Sequence, residues 1–382
     1  MALRYARWTL AAAVLAWAGV ACSSSEGPSG PAATPDTTGI LATVTAAESA
    51  FTSDPYSSFG VVLNGGVVAS LTPRRTAGFA RSMARLNRTG GAAAPRVTNR
   101  ILPQFAPASA TSFLPDSVLG KTFEYDTATN QYVSSSRTGA PSNGVRFILY
   151  ALSGDTVAEP TTEVGRVDLI DLTSGTLLKL RVVIAGVGGT PVFFDETVSY
   201  QDLSSGGGHA FKTSGSGFIA NAGTGADYHK LSFSAAWTFD SSSDTLETLT
   251  LTTSASLNQP GLSLGGTLSS SNSPSDTLHD VISYDFHLTQ GGQSLRSTYL
   301  RTSSANGGLQ VYKVYVNGVL FAQGLALNNE NTLWTDKDGA LLSPEEMNVA
   351  EFAFSITINA GVEFPLVLVS IATEIIGLGS ID

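Results

Sequence analysis

A period of two sets in at Lys121 and runs toward Ile358, and it limits what this chain can fold into more than any other feature. Leu231, Phe233, Ala235, Trp237 and Phe239 alternate with Lys230, Ser232, Ser234, Ala236, Thr238 and Asp240. Leu249, Leu251, Thr253, Ala255 and Leu257 alternate with Thr248, Thr250, Thr252, Ser254 and Ser256. Leu278, Ile282, Tyr284, Phe286 and Leu288 share one parity, with Thr277, His279, Ser283, Asp285 and His287 on the other. Successive strand side chains point to opposite faces, so each run buries one face and wets the other. Gly, Ser and Asn clusters separate the runs. Asn317-Gly318, between Tyr312 and Phe321, supplies the positive φ angles of a type I′ hairpin turn.

No helical pattern intervenes, so crossover connections are absent and the sheet is expected to be antiparallel. The spacing predicts about a dozen strands between Lys121 and Ile358. The expected class is mainly β (α+β): one large antiparallel, hairpin-connected sheet, curved or barrel-like, with a few N-terminal helices and a C-terminal apolar element packed on it. A barrel, a sandwich and one wide curved sheet all satisfy this pattern.

The flanks read differently. Ile40, Leu41, Val44, Ala47 and Phe51 fall at helical spacing. Phe59 to Leu71 fits either a hairpin at Asn64-Gly65 or a helix face of Phe59, Leu63 and Val67. Phe79, Met83 and Leu86, interleaved with Arg81 and Arg85, predict an amphipathic helix, and Thr89 to Thr111 reads as linker. Pro365 to Leu378 is strongly apolar. It carries a narrow polar stripe of Ser370, Thr373, Glu374 and Gly377 that suits a helix, and many β-branched residues that suit a strand. It is too short to span a membrane and is expected to pack on the sheet.

Arg4 and Arg7 precede an uncharged apolar run from Trp8 to Ala21, the layout of a secretory signal peptide. The run ends Gly19-Val20-Ala21-Cys22, and here the chain resembles bacterial lipoproteins, with Gly19 where that pattern usually has Leu. The resemblance implies cleavage before Cys22 and acylation of its sulfur and new amino group. The rival reading is ordinary cleavage after a small-x-small site such as Ala16-Trp17-Ala18. Cys22 is the only cysteine in the sequence, so it forms no intrachain disulfide. Two or three acyl chains anchor stably, at about 0.8 kcal/mol per buried methylene.

Ser23 to Thr38 is small, polar and proline-rich, and reads as a tether. Ser23 after the acylated position points to the outer membrane by resemblance to enterobacterial sorting. The expected organisation is signal peptide 1–21, lipidated Cys22 and tether 22–38, a helical and Arg-rich segment 39–112, and a β domain 113–382.

Charge sharpens this. Charged residues are 14% of the chain, against about 25% in typical soluble domains. The net charge is −10, and the first 21 residues carry +2, leaving −12. Pro55 to Pro115 holds no acid but Arg74, Arg75, Arg81, Arg85, Arg88, Arg96 and Arg100, so that stretch is +7 and the rest −19. An acidic, exported body disfavours nucleic acid as a partner. The Arg-rich stretch is either a solvated connector or a contact for anionic headgroups or for the acidic body itself.

Candidate chemistry is sparse. Gly261-Leu262-Ser263-Leu264-Gly265 matches the Gly-x-Ser-x-Gly of hydrolases, with Asp276 and His279 downstream, but its flanks alternate as strands and no helix follows. Trp334 to Glu345 resembles the later part of an EF-hand calcium loop, with Asp336, Asp338 and Glu345 at ligand positions around Gly339. Trp334 stands where the first carboxylate belongs. The competing reading is a turn into a helix capped by Ser343 with Pro344 following. Calorimetry at millimolar calcium separates the two. His279 and His287 lie eight residues apart, about 26 Å along a strand, too far to share an ion. The sequence favours a membrane-anchored envelope lipoprotein with a non-catalytic binding or structural role, toward a hydrophobic ligand or an envelope partner. An envelope hydrolase and an outer-membrane β-barrel are the alternatives.

Overall fold

The computed structural model describes residues 34–64, 114, 116–154, 156–204, 209–243, 246–273, 276–304, 307–327 and 332–358. The strands are β1 (Thr122–Asp126), β2 (Gln131–Ser134), β3 (Gly144–Tyr150), β4 (Leu152–Ser153), β5 (Thr156–Val157), β6 (Glu163–Asp171), β7 (Leu177–Gly186), β8 (Val192–Asp202) and β9 (His209–Ala220). They continue as β10 (Lys230–Ser243), β11 (Leu246–Leu257), β12 (Leu262–Ser273), β13 (Asp276–Gln290), β14 (Gln293–Ser304), β15 (Gly307–Val316), β16 (Val319–Leu327) and β17 (Leu333–Thr335). Fifteen of them form one sheet in the order β17 through β6, then β3, β1 and β2, while β4 and β5 pair apart. The sheet is open: β17 and β2 are its edges, and it does not close into a barrel.

From β6 to β17 every neighbour is the next strand in sequence and every pair is antiparallel. The one departure is β1, which pairs with β3 in parallel. The hairpin β1–β2 is inserted at the sheet end, so its partner is not its neighbour in sequence. Asn317 and Gly318 take φ of 52° and 80° and join β15 to β16 in the expected tight turn.

The alternation resolves into two faces. Leu231, Phe233, Ala235 and Trp237 are buried, as are Leu249, Leu251, Ala255 and Leu257 and, from β13, Tyr284, Phe286 and Leu288. Registers align Trp237, Leu251, Leu268, Tyr284, Tyr299, Tyr312, Gly324 and Trp334 into one row across the inner face. The opposite face of β9 to β12 carries Ser214, Ser216, Ser232, Ser234, Thr250, Thr252, Ser254, Ser256, Ser263, Thr267 and Ser269. Cross-strand hydroxyl pairs knit this face, at 2.8 Å for Ser199–Ser214 and Ser234–Ser254 and 2.6 Å for Ser269–Ser283. A membrane barrel needs its apolar face outward; here that face is turned in.

Helices cover the inner face. Helix α1 (Thr37–Ser49) meets the spacing expected of Ile40 and Ala47, both buried. Asp36 caps it by accepting from Gly39 N at 2.9 Å. Gln293 clamps its start, accepting from Asp36 N at 2.7 Å and donating to Thr34 O at 3.3 Å. The chain is thus engaged from Thr34, earlier than the tether boundary at Thr38.

Helix α2 (Asp54–Asn64) decides the ambiguous stretch from Phe59 in favour of helix as far as Asn64. Pro55 sits in its first turn, where no amide partner is needed. Phe59 and Val62 bury on the sheet. Gly165 admits the close approach: a Cβ there would meet Ala185 O and lie 3.2 Å from the Pro55 Cβ. Ser58 Oγ accepts from Tyr150 N at 3.1 Å and fixes the helix over β3.

Helix α3 (344–358) brings Ala350, Ala353, Ile356 and Ile358 onto the core, with Phe354 edge-on to Tyr312 at 5.1 Å. Its start is a reciprocal cap: Ser343 Oγ accepts from Glu346 N at 3.3 Å, and Glu346 Oε2 accepts from Ser343 N at 2.9 Å. Ser343→Ala is expected to lower stability by about 1 kcal/mol, read by urea unfolding. The predicted helix at Phe79 to Leu86, the linker from Thr89 to Thr111, the seven arginines and the apolar segment Pro365–Leu378 lie outside the described residues.

Candidate functional site

Among the described residues, the mostly apolar inner face carries one buried carboxyl. Glu196 of β8 stands at core parity between Phe194 and Val198. Its strand neighbours in register are Val182 of β7 and Gly217 of β9. Glu196 is 0% exposed, and neither carboxyl oxygen has a hydrogen-bond partner among the described residues. Burial raises the pKa of this carboxyl well above the usual carboxylate range.

Tyr56 of α2 lies near it. Its ring lies 5.9 Å from that of Phe194 and 5.8 Å, edge-on, from Phe51. Burial, and then the nearby Glu196 carboxyl, raise the Tyr56 hydroxyl pKa. Two more inner-face hydroxyls, Thr213 Oγ1 and Ser297 Oγ, are buried and without a partner among the described residues. Buried polar groups are nearly always hydrogen-bonded, so each exception asks for an explanation.

Sequence reading passed over Glu196. The signal was present: in Val192-Phe193-Phe194-Asp195-Glu196-Thr197-Val198 an acid occupies an inward position of an alternating strand. Its neighbour Asp195 points the other way and forms a bidentate pair with Arg181, at 2.8 and 2.6 Å.

The sequence-derived sites fall elsewhere. Cys22 lies outside the described residues. Asp336 Oδ1 accepts from Asp338 N at 2.9 Å and Ala340 N at 2.8 Å, closing a turn in which Gly339 takes φ of 85°. Asp338 pairs with Lys337 at 2.8 and 2.9 Å. Glu345 lies in the first turn of α3, beside the Glu346 that caps it. An ion here would have to draw Asp338 from Lys337 and share Asp336 with two amides. Among the described residues, no three His, Cys, Asp or Glu side chains group as a metal site.

Ser263 of the Gly-x-Ser-x-Gly stretch is exposed in mid-sheet, paired in register with Ser256 and Thr289. It lacks the strand-to-helix elbow that exposes a nucleophile beside a base. His229 Nδ1 lies 2.7 Å from Gln259 O and braces a loop, and His287 is exposed on the outer face.

The inner face therefore combines a broad apolar wall with one buried carboxyl and a few buried hydroxyls. Among the described residues, no serine or threonine hydroxyl of the inner face is seen paired with a histidine base. Comparison with known protein families, with curated proteins and with solved structures finds no match to the chain.

Proposed function

We propose that this protein is a membrane-anchored lipoprotein of the cell envelope whose role is binding, with a hydrophobic ligand taken against the inner face of the sheet. Glu196 carries the ligand reading. Ligand sites are mostly apolar, with a few placed polar groups that fix orientation. A protonated carboxyl offers one donor and several acceptor positions, and those of Glu196 have no partner among the described residues. The anchor reading rests on Cys22, the apolar run before it and the absence of any other cysteine. No helix among the described residues is long and apolar enough to cross a membrane.

Native mass spectrometry of the protein drawn gently from its own membrane tests the ligand. The expected result is a co-purifying apolar molecule that Glu196→Leu no longer retains. A clean apo mass for the unaltered chain would overturn it. Palmitate labelling tests the anchor separately: Cys22→Ala is expected to abolish incorporation, and undiminished labelling would remove the anchor from the reading.

A further inference from the structure

The outer face changes character between β12 and β17. Hydroxyls dominate β9 to β12, but Leu300, Val311, Leu325 and Leu333 align in one row across β14 to β17. Leu309 and Leu327 pair two positions further along. Leu341 bridges to Thr335 beside them. Exposure is 41% for Leu300, 48% for Leu327, 55% for Leu333 and 69% for Leu341. With Val281 at 39%, five of the nine exposed large hydrophobic residues among those described gather at this corner. Exposed aliphatic residues scattered singly need no explanation; a contiguous group marks an interaction surface.

We infer that this corner of the outer face lies against the lipid surface to which the chain is tethered. The choice of a bilayer rests on the anchor at Cys22. Thr34 is held by Gln293 at the head of β14, the same strand that carries Leu300. Leu300 is seven residues further along, about 24 Å at strand rise. The twelve residues from Cys22 to Thr34 span at most about 40 Å, enough to bring the corner to the membrane. The chemistry also favours lipid over protein. Protein interfaces concentrate energy in Trp, Tyr and Arg, whereas Leu and Val are under-represented among their hot spots. Among the described residues, the exposed large hydrophobics here are Leu and Val. Side chains of this kind partition into the acyl boundary in proportion to the apolar area buried.

The test uses the mature chain with Cys22→Ser, so that no acyl group contributes, and flotation with phosphatidylethanolamine–phosphatidylglycerol vesicles. The unlipidated chain is expected to float, and the added triple change Leu300→Ser, Leu327→Ser, Leu333→Ser to cut the bound fraction at least tenfold. Leu341→Ser, at an isolated bridge outside the named strands, is expected to reduce it with every strand residue unchanged. Hydrogen exchange should slow in β14 to β17 on adding vesicles. Flotation unchanged by these substitutions, or no flotation of the unlipidated chain, would overturn the inference. So would a dimer in sedimentation that the triple change dissociates without lipid. Palmitate labelling of the unaltered Cys22 chain reports on the anchor independently, so loss of one claim is distinguishable from loss of the other.

Discussion

Arg146→Ala is expected to cost about 3 kcal/mol, the low end of the range for breaking a buried ion pair. Arg146 of β3 meets Asp168 of β6 in register, with Nε 2.6 Å from Oδ1 and Nη2 2.8 Å from Oδ2. Their side chains are only 13% and 11% exposed. Removing the guanidinium leaves a carboxylate that water reaches poorly. Arg166, with Nε 3.7 Å from Asp168 Oδ2, offsets part of the loss, which is why the low end applies. The double change Arg146→Met, Asp168→Leu removes both charges together and is expected to recover most of the stability. Urea unfolding followed by tryptophan emission measures both, since Trp237 and Trp334 are buried on the inner face. A single mutant as stable as the parent would mean that Asp168 rehydrates freely. The pair matters to the architecture because β3 joins the non-sequential strands β1 and β2 to the long meander.

What could be read from the sequence follows from which interactions are local. The alternation from Leu231 to Leu288 was enough to place the inner face, because burial of one face needs only period two. Asn317-Gly318 named its own turn, since positive φ at two successive residues is a local demand. Ser343 and Glu346 likewise cap a helix through bonds three residues apart.

Closure was not legible. A barrel and an open sheet share the same period, and only the edges at β2 and β17 distinguish them. The parallel pairing of Thr122 and Phe123 with Arg146 and Phe147 depends on a contact that no local signal announces. The apolar outer corner was hidden for a related reason. Leu300, Val311, Leu325 and Leu333 are isolated outward residues in their own strands, and register alone brings them together. Glu196 was legible and overlooked, because an acid at core parity is conspicuous only once the strand's two faces have been assigned.

Glu196→Leu is expected to make the protein more stable at pH 7.5, by about 1–3 kcal/mol for the desolvated carboxyl it removes and by a further amount for the proton that folding takes up at that pH. The sign of the pH dependence follows from the raised pKa. Between its unfolded value near 4.5 and its higher folded value, the folded protein holds a proton that the unfolded chain releases. Stability from this group is therefore fully present below the unfolded pKa and lost as pH rises toward the folded one. The slope is about 1.4 kcal/mol per pH unit. Glu196→Leu should remove that slope, and Glu196→Gln should remove it while leaving a polar amide inside. Unfolding midpoints from pH 4.5 to 8 for the three proteins measure the difference. If the parent and Glu196→Leu run parallel, the carboxyl is hydrated or paired and the site has been misread. If they diverge as expected, a simple substitution improves the fold, and the retained acid is a stability cost at a fixed place on the apolar wall. Such costs concentrate where function needs them. The variant that gains stability is also the one expected to release the ligand, and measuring both on one sample ties the cost of Glu196 to its use.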